Sequence, residues 1–249
     1  MIKMKKAAIL LMCAATILPG CSKTEEKTPQ AQEDSPVSLS DATSTSKAKE
    51  AIEEKQAAAV PMADKSVPLS SYKAMESGRT LMFAHLAADT LPLDYEKIAA
   101  RISDDYRREE DVFKKNDLLQ ALKPAIYAEV TKSKSNMYYY MMDDDGVNSY
   151  DFATKSFQIP RLSTSGNYTY FYDNSSFKLE YSNPVEFSRV EVTDETRARL
   201  IEKLRSQARG LMTKVYFFAS STELGSPIVK AEITKVQILD RQGNVLAER

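Results

Sequence analysis

Near residue 135 the spacing of large apolar residues changes from every third or fourth position to every second. A chain patterned this way folds helices first and strands after. Within 70–133 the helical spacing predicts three segments. Ser70 or Ser71 caps the first, which carries Tyr72, Met75, Met82 and Leu86 on or near one face; Gly78 weakens its middle and Leu91-Pro92 ends it. Asp94 caps the second, with Leu93 and Ile98 at hydrophobic-staple spacing. Ile98, Ile102 and Tyr106 form its buried stripe, while Arg101, Asp105 and Arg108 face water. Asn116 caps the third, whose inward residues are Leu118, Leu119, Leu122, Ile126 and Val130. Pro124 inside that pattern predicts a kink or two short helices.

From 135 to 249 the pattern is that of strands. Of the 22 aromatic residues, 13 fall between Tyr138 and Phe187. Tyr168, Tyr170 and Tyr172 alternate, as do Phe177, Leu179 and Tyr181. Gly146 with Asn148, Gly166 with Asn167, and Asp173 to Ser175 read as turns. Val185 and Phe187 are out of phase with Val190 and Val192, which predicts a bulge near Ser188. Thr193 caps one more helix with Ala198, Ile201, Leu204 and Ala208 buried and Gly210 just past its end. Strands follow over 212–220 and 228–240, and Gln242-Gly243-Asn244 turns the chain into a last strand over 245–247. Hairpin spacing implies an antiparallel sheet, so the expected fold is α+β: an N-terminal helical segment packed on a C-terminal antiparallel sheet with one further helix.

Between residues 22 and 69 large aliphatic residues are few. Residues 22–69 hold no aromatic and are rich in Ser, Thr, Glu, Lys, Gln, Ala and Pro, a composition that cannot bury enough surface to offset its ordering entropy. The expected organisation is an N-terminal targeting segment over 1–20, Cys21 with a disordered tether over 21–69, and one α+β domain over 70–249. Residues 46–60 of the tether are Ala-, Glu- and Lys-rich and read as a solvated, fraying helix. As a flexible coil the tether reaches roughly 35–40 Å.

Lys3, Lys5 and Lys6 precede an apolar run from Ala7 to Ile17, which is too short to span a bilayer and suits a secretory signal. Leu18-Pro19-Gly20-Cys21 follows and resembles the lipobox of bacterial lipoproteins: Leu18 stands three before the Cys and Gly20 just before it, whereas Pro19 departs from the usual small or β-branched residue. The resemblance implies cleavage before Cys21, a diacylglyceryl thioether on Cys21 and acylation of its new amine. Two or more acyl chains anchor stably to a bilayer, so the expected membrane partner is reached through the lipid on Cys21. In a Gram-negative host Ser22 favours the outer membrane, with the domain facing the periplasm. The body also resembles uncharacterised proteobacterial lipoproteins, a resemblance that carries no function with it. Cleavage takes three lysines, so the 34 basic residues fall to 31 against 35 acidic ones, a net charge of −4. The lipid rather than a basic patch holds such a chain to anionic bilayers.

Composition excludes several chemistries. The whole chain has a net charge of −1, where a nucleic-acid binder needs a basic excess. Two Cys and one His cannot make a Cys/His zinc site, and seven Gly leave little for a phosphate loop. Asp143-Asp144-Asp145-Gly146 does not fit an EF-hand, because Met141 and Phe152 would occupy its first and last ligand positions; an acidic turn is the better reading. Ser70-Ser71-Tyr72-Lys73 and Ser44-Thr45-Ser46-Lys47 match S-x-x-K, but no K-T-G triplet follows. His85 has Asp89 one turn further along the expected helix.

Neither a catalytic residue, a metal site nor a cofactor is expected. The expectation is a membrane-anchored envelope lipoprotein whose non-catalytic domain binds another envelope component, an envelope protein of unread identity. The alternatives are an envelope hydrolase using His85 and a glycan- or peptidoglycan-binding module acting through the tyrosine clusters. If Cys21 is the acylated residue, Cys21→Ser should lose metabolic labelling by an alkyne fatty acid and alter processing; equal labelling of both chains would sink the assignment.

Overall fold

The computed structural model describes residues 61–207, 210–222 and 226–249, all within a compact unit of Ile52–Arg249. The signal, Cys21, the segment 46–60 and Ala208 lie outside the described residues. Among the described residues there are five α-helices and a mixed seven-stranded sheet, so the fold is α+β. None of these helices is long and apolar enough to cross a membrane.

A two-residue strand, β1 (Lys73–Ala74), comes first, then α1 (Gly78–Ala88), α2 (Tyr95–Ile102), α3 (Asp104–Arg108) and α4 (Val112–Lys134). The first predicted helix therefore starts later than its apolar spacing suggested. Tyr72 and Met75 are buried, but as parts of extended chain; Ser77 is the cap, its Oγ accepting the Thr80 N–H at 3.1 Å, and Gly78 opens the helix instead of weakening its middle. Asp94 caps α2 as expected. Ser103 then ends α2 and caps α3, so the stripe of Ile98 and Tyr106 is divided between two helices, with both residues buried. Helix α4 begins at Val112 behind Asp111, not at Asn116; Asp111 Oδ1 accepts the N–H groups of Phe113 and Lys114. It runs through Pro124 as a single helix, burying Leu119, Ile126 and Val130. The chain at and just past its C-terminus is tied back to β1, where the Lys73 ammonium donates to Lys132 O at 3.1 Å and Asn136 O at 3.2 Å.

The remaining elements are β2 (Tyr138–Asp143), β3 (Ser156–Gln158), β4 (Tyr168–Thr169), β5 (Lys178–Tyr181), β6 (Arg189–Glu191), α5 (Glu195–Arg205), β7 (Leu211–Thr222), β8 (Ile228–Asp240) and β9 (Val245–Glu248). The large sheet runs β1-β2-β7-β8-β5-β4, with β9 on the other part of β8, and β3 pairs with β6 separately. Pairs β2–β7, β7–β8, β8–β9 and β4–β5 are antiparallel; β1–β2 and β5–β8 are parallel, so the sheet is mixed where hairpin spacing had implied an antiparallel one. Thr234 is skipped between the partners of Tyr216 and Phe217, and this bulge keeps Val229, Ala231 and Ile233 on the same buried face as Val236 and Ile238.

Three local readings change. A 3-10 turn (Pro184–Phe187) ending on Ser188 replaces the expected bulge there. Asp194, rather than Thr193, caps α5, which ends at Arg205 with Ser206 as its C-cap, so Gly210 is not the residue that stops it. The turn into β9 is as expected: Gly243 has φ +86°, and the Asp240 carboxylate accepts the N–H groups of Gln242 and Asn244.

Helix α1 lies across β7 and β8 and packs on α4, so the core sits between these helices and the sheet. Residues ahead of Ser70 also touch the sheet: the Ala63 N–H donates to Glu232 and the Asp64 N–H to the Tyr138 hydroxyl at 2.8 Å. Phe217 is 0% exposed at the middle of β7, stacked near Tyr139 and Tyr181. Phe217→Asp would bury an unpaired carboxylate there and should destabilise the domain by about 4 kcal/mol or more in urea unfolding; a loss below about 1 kcal/mol would contradict this placement of the core.

Candidate ligand-binding site

Alternation at Tyr168, Tyr170 and Tyr172 predicts a strand with cross-strand packing. The structure overturns this. Strand β4 holds only Tyr168 and Thr169, and the chain then leaves the sheet into a 3-10 turn (Tyr172–Asn174). The rings are therefore turned out: Tyr168 is 52%, Tyr170 44% and Tyr172 93% exposed. Tyr170 and Tyr172 meet edge to face at 5.8 Å, and with Tyr168, Ser175 and Lys178 they line an open recess of about 440 Å³. That volume falls in the range of small-ligand sites. The Lys178 ammonium stands 4.0 Å from the Tyr168 ring centroid.

This shelf is fixed from behind. Between the shelf residues, Asp173 points back to the start of α1, where Gly78 N–H donates to Oδ1 at 2.8 Å and Arg79 N–H to Oδ2 at 3.2 Å. With Ser77 taking Thr80 N–H and Leu81 N–H, the first amides of α1 all have partners. A carboxylate here is also favoured by the positive end of the helix. Arg101 of α2 donates to Asn174 Oδ1 at 3.3 Å and Ser176 Oγ at 3.0 Å, with its guanidinium 5.4 Å from the Phe177 ring. The Phe177 ring in turn meets His85 edge to face at 5.2 Å.

His85 takes its place in this support. Its ring is buried, and Nε2 donates to Ser226 O at 2.9 Å, beside the start of β8, where Pro227 O accepts the Lys178 N–H. Among the described residues Nδ1 has no hydrogen-bond partner. Asp89 does not orient the ring: its N–H bonds back to His85 O and its carboxylate accepts the Leu91 N–H. Lys73, the lysine of the S-x-x-K match, is held by the two carbonyls at the end of α4.

Two other places were candidates. The carboxylates of Asp143, Asp144 and Asp145 lie within 4.8 Å of one another. Asp143 is ion-paired with Arg161, which also reaches Thr169, and its charge raises the Asp145 carboxyl above the ordinary Asp value. A cleft of about 420 Å³ between Tyr150, Phe152 and α5 is mainly apolar. Its charged groups are already matched: Glu195 pairs with Arg199, and Glu202 accepts from Arg205 and from the Tyr150 N–H, which hold its carboxyl below the usual Glu value. At the tyrosine shelf exposed aromatic rings meet Lys178, which no carboxylate of the described residues pairs.

No protein-family model matches the chain, and no curated protein and no solved structure is significantly similar to it.

Sequence reasoning found the tyrosines and passed over Asp173, Gly78, Arg101 and Lys178. Asp173 was legible only as a turn residue, and nothing local signals that it caps a helix 95 positions away. Gly78 is the counterpart of that contact, since a Cβ there would lie 2.7 Å from Asn174 Cβ and 2.9 Å from its backbone N. Ala is the better residue by about 1 kcal/mol in an ordinary helix. Here Gly78→Ala should instead destabilise by about 1–3 kcal/mol in thermal melts, as overpacking does, and shift the NMR signals of the Tyr170 and Tyr172 rings. A stabilised variant with unmoved rings would contradict the clamp.

Proposed function

We propose that this chain is a lipid-anchored, non-catalytic binding module of the bacterial envelope and that its tyrosine shelf takes a glycan of that envelope. One observation carries the reading: Tyr168, Tyr170 and Tyr172 are exposed together in one recess, on a loop held in place from behind. Tyrosine offers a flat apolar face edged by a hydroxyl, and a pyranose offers an apolar C–H face rimmed by hydroxyls. Exposed rings gain by covering that surface, and a loop ordered beforehand loses little freedom on binding. The lipobox resemblance at Cys21 supplies the envelope setting, and a long polar tether suits a domain that must reach a polymer beside its membrane.

The full chain in detergent should cosediment with purified peptidoglycan sacculi. The Tyr170→Ala/Tyr172→Ala double variant should bind about tenfold more weakly, the loss of about 1.4 kcal/mol, with unchanged melting temperature. Equal cosedimentation of both, or none by the wild type, would overturn the reading.

A further inference from the structure

We infer that the shelf selects an anionic saccharide, a pyranose bearing a carboxylate or phosphate that is received by Lys178. The inference rests on the proposed glycan reading and adds the charge of the ligand. Three observations support it.

Lys178 lines the recess with its ammonium over Tyr168, and among the described residues no carboxylate stands within ion-pair distance of it. Lys230, on the neighbouring strand β8, is by contrast paired with Glu180 at 2.9 Å. A lysine left unmatched beside a matched one can receive an outside anion without breaking a bond.

The acidic residues nearest in the chain are occupied. Asp173 faces away into the amides of α1, and Glu180 is held by Lys230. The Lys230 ammonium offsets the Glu180 charge, and the Asp173 carboxylate is held at the positive end of α1.

A positive charge stands beside the loop: Arg101 bonds the neutral oxygens of Asn174 and Ser176 while lying over Phe177, next to the segment that carries Tyr170 and Tyr172. On this account a sugar ring covers Tyr170 and Tyr172, and its anionic substituent meets the Lys178 ammonium at the Tyr168 end.

The test holds shape fixed and changes charge. The full chain in detergent is titrated calorimetrically with trigalacturonate and with its fully methyl-esterified form; glucose 6-phosphate against glucose repeats the comparison with phosphate. The acid form should bind about fivefold tighter than its ester, as one exposed charge pair allows. That preference should shrink at 0.5 M salt, vanish in Lys178→Met and persist in Lys178→Arg. A preference seen in only one pair still supports the inference and identifies the anion. Equal binding of charged and neutral forms, or a preference that survives Lys178→Met, would overturn it while leaving the glycan reading standing. Absence of binding to all four sugars by a wild type that also fails to cosediment with sacculi would overturn both.

Discussion

The pairing of β7 with β8 is the constraint from which the other elements take their places. The two strands run antiparallel from Leu211 opposite Asp240 to Thr222 opposite Val229, long enough to present Val215, Phe217, Ala219, Val229, Ala231, Ile233, Val236 and Ile238 as one buried surface. Burial of this surface against α1, which α4 backs, is the main favourable term available to a chain without disulfides in its body. Strand β2 extends the sheet on β7, while β5 and β9 divide the far side of β8 between them.

That division places the shelf. Strand β5 lies parallel to the first part of β8, with Lys178 opposite Ile228, and β4 then takes the edge beside β5. A parallel pair needs a long crossover; here it is the chain from β5 through β6, α5 and β7 back to β8. Because β4 stops after two residues, the chain beyond it is free of the ladder, and Asp173 can reach the first amides of α1. The same contact caps a core helix and turns Tyr170 and Tyr172 outward, so fold and shelf share one carboxylate.

What the sequence revealed depended on how local each feature was. The Asp94 cap, the turn at Gly243 and the long strands β7 and β8 rest on neighbouring residues, and their signals were legible in order. The start of α4 was hidden by its own exposed Val112 and Phe113, which break the apolar stripe that marks a helix, so Asn116 looked like the cap. The tyrosine alternation misled for a physical reason: period two describes a strand only if a partner strand covers it, and beyond Thr169 there is none. The parallel pairings, the Gly78–Asn174 approach and the pairing of Arg161 with Asp143 join residues far apart in the chain, and no local pattern encodes them.

The Asp173 carboxylate clamps the shelf onto the start of α1 in the absence of ligand. Residue-resolved amide hydrogen exchange of the free protein measures this directly. The account expects Gly78 and Arg79 N–H, which lie before the intrahelical ladder and have Asp173 as acceptor, to exchange slowly, and Asp173→Ala to accelerate these two while leaving Val215 to Phe217 protected. Exchange of Gly78 and Arg79 at unprotected rates in the wild type would contradict it.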